Sequence, residues 1–351
     1  MNRTPSPPPS GTRLPVDAGM ARPVLVVRLP NWVGDVCMAL PALAALHAHG
    51  FALHCFGKGW AGELLSGLPY RVERLPRGLR AAAAAMRASG AQRAVAFTNS
   101  LSSALQLRWA GLAAVGYRGE FRSPLLQVAV QRVAGVHEVE AFWRLSQVQC
   151  SMPPGLALGE RPTPSFCHRE AIPPPPPSLD LPLTQEQRQA ARAALLAAGV
   201  TGPFSVLCPL AVGLSDGQSK QWPSFALLCR GLIEQGEPVV ACPGPGEAAA
   251  CASALPGARL LDGLGLGAYA AVMALSRRVV ANDSGPMHLS AAVGAPVVGI
   301  FGVSDPLRTR PWGPSGTSAG SWHSWPTVQA VVESLGRLPS PNHTAPWESR
   351  A

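Results

Sequence analysis

Charged side chains are scarce in this 351-residue chain: Asp, Glu, Lys and Arg make up 14% of it, against roughly 25% in ordinary soluble domains. No apolar stretch approaches the roughly 20 residues needed to cross a bilayer. The longest candidate, Leu289 to Phe301, is interrupted by Gly294 and Pro296. The N-terminal MNRTPSPPPSGTRLPVDAG lacks the apolar core of a secretory signal, so residues 1–21 read as a disordered tail. There is no collagen period and no repeat of solenoid length. The eight cysteines, Cys37, Cys55, Cys150, Cys167, Cys208, Cys229, Cys242 and Cys251, include no CxxC pair and no disulfide-like spacing. They read as reduced, mostly buried thiols of a cytoplasmic protein. DxD, HExxH and the phosphate-binding GxxxxGK[ST] loop are missing. His288, five residues after Asp283, stands in no cluster of metal-ligating residues, so no metal is expected.

What is present is apolar, basic and turn-rich: 47% hydrophobic residues, 36 glycines, 37 prolines and a net charge of +9. That charge favours anionic partners such as nucleotides, phosphorylated sugars, nucleic acid or an acidic membrane face. The basic residues are mostly scattered arginines, and no cluster is dense enough for a nucleic-acid arm. A GC-rich coding sequence would produce the same excess of Arg over Lys.

The pattern alternates strand and helix. Val24–Arg28 reads as a buried strand, Asp35 to His49 as a helix disturbed by Pro41, and 51–56 as the next strand. Helix 78–89 and strand 94–97 continue the series. PPPPPSLDLP, residues 173–182, cannot be helix or central strand and reads as a stiff linker. The alternation then restarts with helices at 184–198, 224–235, 246–254, 267–275, 285–293 and 326–335. Strands fall at 204–208, 238–242, 278–281 and 296–301. Two doubly wound halves with a cleft between them are expected.

Three segments point at that cleft. In RRVVANDSGPMHLSAAVGAPVVGIF a strand turns sharply into a helix that starts near Ser284, with Pro286 in its first turn. Free N–H groups at such a helix start suit a phosphate, although ordinary capped helices look alike. LPNWVGDVCMALP places Asp35 just after the first strand, as a general base or merely a helix cap. LSDGQSKQWPSF places Lys220 before a helix, where it neutralises a diphosphate or is simply solvated. A fourth segment, Gly244 to Ala249, fits GxGxx[GA] and offers an alternative reading as a nicotinamide or flavin turn, weakened by Pro243 and Pro245.

Together these segments resemble glycosyltransferase family 9, the heptosyltransferases of lipopolysaccharide core assembly. ANDSGPMHLSAAVGAPVVGIFGVSDPLRTRPWG is similar to the family's nucleotide-site signature. SKQWPSF, PGPGE and LPNWVGDVCMALPAL are similar to three further motifs, and the NWVGD form resembles one branch most. FTNSLSSAL and GYRGEFRSPLL are similar to acceptor-half segments of that branch. The resemblance implies a GT-B fold, with an acceptor half at 22–172, a nucleotide half at 183–338 and a last helix crossing back. It implies inverting heptose transfer from the ADP-sugar to the inner core, without metal or cofactor. Asp35 would then be the base, Lys220 the diphosphate partner and Glu247 a ribose contact. Asp283, Ser284, Gly285, Met287 and His288 would hold the nucleotide sugar, and Arg118 and Arg122 an anionic acceptor. The implied place of action is the cytoplasmic face of the inner membrane, by peripheral contact and with no nucleic-acid partner. A family member with another sugar or acceptor stays open as an alternative.

Overall fold

The structure, a computed structural model, describes residues 21–119, 121–153 and 172–339. The expected tail at 1–21 falls almost wholly outside it, as do Cys167 and residues 339–351, which the sequence assigns to neither half and which also read as a tail. The N-terminal half runs β1 (Val24–Arg28), α1 (Val33–Met38), α2 (Leu40–Ala48), β2 (Ala52–Gly57), α3 (Ala61–Leu64), β3 (Arg71–Arg74), α4 (Leu79–Arg87) and β4 (Arg93–Ala96). It continues with α5 (Leu101–Trp109), β5 (Ala113–Tyr117), β6 (Val128–Val130) and α6 (Glu138–Cys150). The C-terminal half runs α7 (Gln185–Ala197), β7 (Ser205–Cys208), a small hairpin of β8 (Leu214–Ser215) and β9 (Gln218–Ser219), α8 (Phe225–Glu234) and β10 (Val239–Ala241). Then come α9 (Ala248–Ala254), β11 (Arg259–Leu260), α10 (Leu266–Leu275), β12 (Arg278–Asn282) and α11 (Gly285–Ala292). The last elements are β13 (Val297–Ile300), α12 (Pro306–Thr309), β14 (Gly316–Ala319) and α13 (Val328–Gly336).

Each half carries a six-stranded parallel sheet, in the orders β3-β2-β1-β4-β5-β6 and β11-β10-β7-β12-β13-β14. Both are the Rossmann order. Its crevice opens where the order reverses, beyond the carboxyl ends of β1 and β4 in one half and of β7 and β12 in the other. The central strands are continuous apolar runs because helices cover both faces. The edge strands β3 and β11 have polar, partly exposed sequences (RVER, RL) and carry no such signal.

The long helix expected over 35–49 is two helices. α1 ends at Ala39 and α2 restarts with Pro41 in its first turn, where the missing N–H costs nothing. Gly50, at φ 116°, stops α2 as expected.

The proline linker is not a free spacer. Leu179 and Leu181 are buried, and the Leu181 N–H donates to the Ala292 carbonyl at 2.8 Å. Proline carbonyls have no neighbouring N–H partners in the run, and two indoles supply them. Trp143 Nε1 donates to Pro173 O and Trp312 Nε1 to Pro176 O. One tryptophan belongs to each half, so the run is a strap.

α13 does not cross back along its described length. Val331 and Leu335 pack with Val298, Ile300 and Ala319 of its own half. Other elements join the halves. The Glu63 carboxylate in α3 accepts the Gly267 N–H in the first turn of α10 at 2.9 Å, a helix cap supplied across the interface. Gln187 returns the contact, donating to Glu63 O and Ser66 Oγ. One continuous core cluster includes Leu25, Leu43 and Val95 of the first half and Val206, Val279 and Met287 of the second.

Candidate active site

The loops that leave both sheets at their reversal points meet in the cleft. The loop after β1 and the start of α1 bring Asp35, the loop after β7 brings Lys220, and the turn after β12 brings Asp283 to His288. α1 packs directly on α11. A Cβ on Gly34 would lie 2.7 Å from His288 Cδ2, and one on Gly285 would lie 3.4 Å from Val33 Cβ. The first distance is too short for any real Cβ, so the approach of the two helix starts requires a glycine at position 34, whereas position 285 is in ordinary contact.

Two cavities flank this contact. A polar one of about 400 Å³ is lined by Asn31, Asp35, Asn99, Arg132, Glu138 and Arg308. A more apolar one of about 420 Å³ is lined by Leu207, Pro209, Cys242, Glu247, Leu266 and Pro286. α1 separates them: Val33 faces the apolar cavity and Asp35 the polar one.

Asp35 is not the cap of α1. That place is taken by Trp32, and Asp35 sits in the first turn. Burial pushes its carboxyl up to about 6, helped by the negative charge of Glu138 and opposed by Arg132 and Lys220. It is mostly ionised at neutral pH yet more basic than a solvated aspartate, which suits a general base.

Lys220 is neither free nor merely solvated. Its Nζ donates to Asp283 Oδ2 at 2.7 Å, and the Ser304 hydroxyl donates to the same oxygen at 2.7 Å. Burial alone would raise the Asp283 carboxyl, but Lys220 and these hydrogen bonds hold it below the usual range. Asp283 therefore anchors Lys220, and its own buried carboxylate is a poor direct contact for a diphosphate.

Ser284 occupies the N-cap position of α11, but its hydroxyl donates back to Asn282 O instead of capping. Its side chain therefore gives the first turn of α11 no N-cap hydrogen bond. Burial pushes the His288 imidazole down to about 4, so it is neutral at pH 7, and its Nδ1 has no partner among the described residues.

Two expected site residues are turned away from the cavities. Met287 is fully buried and packs toward Gly299, and its N–H is bonded to Ser284 O, so it belongs to the core. Arg122 is buried and spent on bracing loops, donating to Tyr117 O at 2.6 Å, to Arg118 O and to Asn99 O. Arg118 is exposed on the same loop. Glu247 does line the apolar cavity, although one oxygen accepts the Gly244 N–H at 3.0 Å. The Gly244–Ala249 turn follows β10, not the reversal-point strand β7, so it lies outside the dinucleotide position of the fold.

Glu138, Arg132 and Arg308 also line the polar cavity, and sequence reasoning missed them. Arg132 Nη2 donates to Glu138 Oε1 at 2.6 Å, and Arg308 Nη2 reaches the same oxygen at 2.8 Å from the other half. The available signal was HEVE before an apolar run, a capping box that opens α6, with His137 accepting from Val139 N and Glu140 from His137 N. Among the described residues, no group of three His, Cys, Asp or Glu is placed to hold a metal.

Two Rossmann-order halves facing a single cleft, with a basic carboxylate on one side and an open helix start on the other, form the GT-B architecture of nucleotide-sugar transferases. The chain belongs to glycosyltransferase family 9 (heptosyltransferase), whose family model matches residues 79–335. It is 27% identical over 325 residues to lipopolysaccharide heptosyltransferase 2 of Escherichia coli K12, covering 80% of this chain and 83% of that protein. The solved structure of the E. coli ADP-heptose lipopolysaccharide heptosyltransferase II matches with a TM-score of 0.70 at 25% identity, over 90% of this chain and 97% of that one. An E. coli heptosyltransferase solved with ADP shares the fold, with a TM-score of 0.64 at 19% identity, over 89% and 99%.

Proposed function

We propose that this chain moves heptose from ADP-L-glycero-D-manno-heptose to a hydroxyl of the lipopolysaccharide inner core, in one inverting displacement that needs no metal. The observation that carries this reading is the position of Asp35. Its partly buried carboxylate faces the polar cavity, while Lys220 and the uncapped start of α11 lie across α1. The apolar cavity beside Glu247 suits an adenosine, and the polar one suits a sugar acceptor.

In this reading residues 22–172 hold the acceptor and 183–338 the donor. The acceptor hydroxyl gives its proton to Asp35 as its oxygen attacks the anomeric carbon. The bond from that carbon to the diphosphate breaks on the opposite face. Lys220 and the α11 N–H groups receive the charge that grows on the leaving ADP. Both substrates are anionic, in keeping with the net charge of +9. The acceptor is membrane-borne, and in this reading the protein meets it at the cytoplasmic face by peripheral contact.

The test is a thermal-shift panel of ADP-, UDP-, GDP- and dTDP-sugars and a nicotinamide dinucleotide, followed by transfer onto purified inner-core acceptor with and without EDTA. ADP-heptose should stabilise the fold, by about 3 kcal/mol at 100 times Kd, and transfer should survive EDTA with inversion at the anomeric carbon. A shift with UDP- or dTDP-sugars alone moves the chain to another donor. A shift with a nicotinamide nucleotide alone sinks the transferase reading.

A further inference from the structure

The Glu138 carboxylate joins the two halves inside the polar cavity. It opens α6 in the N-terminal half, where Arg132 of the same half donates to it at 2.6 Å. Arg308, from α12 beyond the cleft, donates to the same oxygen at 2.8 Å. One residue earlier, His137 Nδ1 accepts the Val139 N–H, and its Nε2 lies 2.9 Å from the Arg310 carbonyl of the opposite half. Those roles require the neutral tautomer with the proton on Nε2, and burial lowers this imidazole so that it stays neutral. Two successive residues of α6 therefore grip two positions of one short segment, 308–310.

We propose that Glu138 is a positioning residue of the transfer reaction: clasped by one arginine from each half, it fixes the closed cleft and shields Asp35 from those two cations. The inference rests on Asp35 serving as the base. Two arginines in the cavity without their carboxylate would hold Asp35 as a weaker base. With the carboxylate present, their charge is half neutralised and the closed geometry is maintained. The charged or titratable groups around Asp35 are Glu138 and Arg132 from its own half, and Lys220 and Asp283 from the other. Arg308 adds to them through Glu138, and Cys37 lies on the same helix with its thiol pushed far up by burial. Among these, Glu138 is the largest charge influence on Asp35.

The clasp makes predictions of opposite sign for two conservative changes. Glu138→Gln keeps the shape but leaves both arginines uncompensated, so the Asp35 carboxyl should titrate at least about half a pH unit lower. Arg308→Gln, on a side chain 56% exposed, leaves Glu138 less neutralised, and Asp35 should titrate higher. The direct readout is carbon-13 NMR of the Asp35 carboxyl in the full chain, assigned by its loss in Asp35→Asn. It needs no substrate and so stands apart from the proposed reaction. In the transfer assay, the acid limb of kcat should move with the NMR value, and Glu138→Asp should restore more of the rate than Glu138→Gln. Opposite shifts in the two variants support the clasp. An Asp35 titration that stays within about 0.2 units in both overturns it, whatever happens to kcat. Should Glu138→Gln not fold, Arg308→Gln alone decides by the same criterion. If the titration shifts as expected but wild type transfers no heptose, the proposed function fails and the clasp stands.

Discussion

Asp35 is caught between two demands. Its place beside the α1–α11 contact keeps it basic, with the carboxyl pushed up to about 6 by burial and by Glu138. Because that value lies above the unfolded one, ionising Asp35 costs stability; the cost is absent below about pH 4 and complete above about pH 6. Asp35→Asn should therefore raise stability at pH 7, by at most about 3 kcal/mol, while lowering kcat by roughly 10²–10⁴-fold. Melting temperature and transfer rate on one preparation check both. A variant within tenfold of wild type would remove Asp35 from the mechanism. In the wild type, kcat should fall about tenfold per pH unit below about pH 6, as the base protonates. Lys220→Ala has the opposite stability sign. It strands the buried Asp283 carboxylate, leaving Ser304 as its partner. It should lower the melting temperature and cut kcat on the order of 100-fold; an unchanged kcat would reduce Lys220 to an anchor for Asp283.

The decisive contact between elements is the packing of α1 on α11. Both helices begin at the cleft, and Gly34 lets them touch. Gly34→Ala puts a methyl 2.7 Å from the ring of buried His288, so one helix must move. The expected cost is about 1–3 kcal/mol of stability, with a weaker ADP-induced thermal shift because the α11 start is displaced. Melting curves with and without ADP measure both, and an unchanged ADP shift would show that the contact only packs the halves. The strap works at the same scale, since Trp143 and Trp312, one from each half, fasten the proline run through their indole N–H groups.

One core cluster runs through both halves, beside a smaller cluster within each. The largest cluster passes from Leu43 and Val95 to Val206 and Val279, and the Glu63 cap, the strap and the Glu138 clasp reinforce it. Calorimetry should accordingly show one cooperative unfolding transition, with equal calorimetric and van't Hoff enthalpies. Two resolved transitions would mean that the interface is weaker than its burial suggests. The cleft opens on this shared core, and α1 stands between its polar and apolar cavities.

Much of this was legible in the chain itself. Runs such as VLVVR and RVVAN announce central strands because burial on both faces leaves little room for polar residues. Gly50, Pro41 and Thr184 mark helix ends by local backbone rules. Asp35, Lys220 and the α11 start could be placed at one edge because strand-helix turns of a parallel sheet all open the same way. Edge strands β3 and β11 escaped notice because a half-exposed strand needs no apolar run. Met287 and Arg122 were misplaced because a motif specifies residue type but not the direction of a side chain. Met287 turned into the core and Arg122 into its own loop. Arg132, Glu138 and Arg308 could not be grouped at all. The 170 residues between Glu138 and Arg308 carry no local rule linking them, and only the closure of one half on the other brings those charges within hydrogen-bond reach.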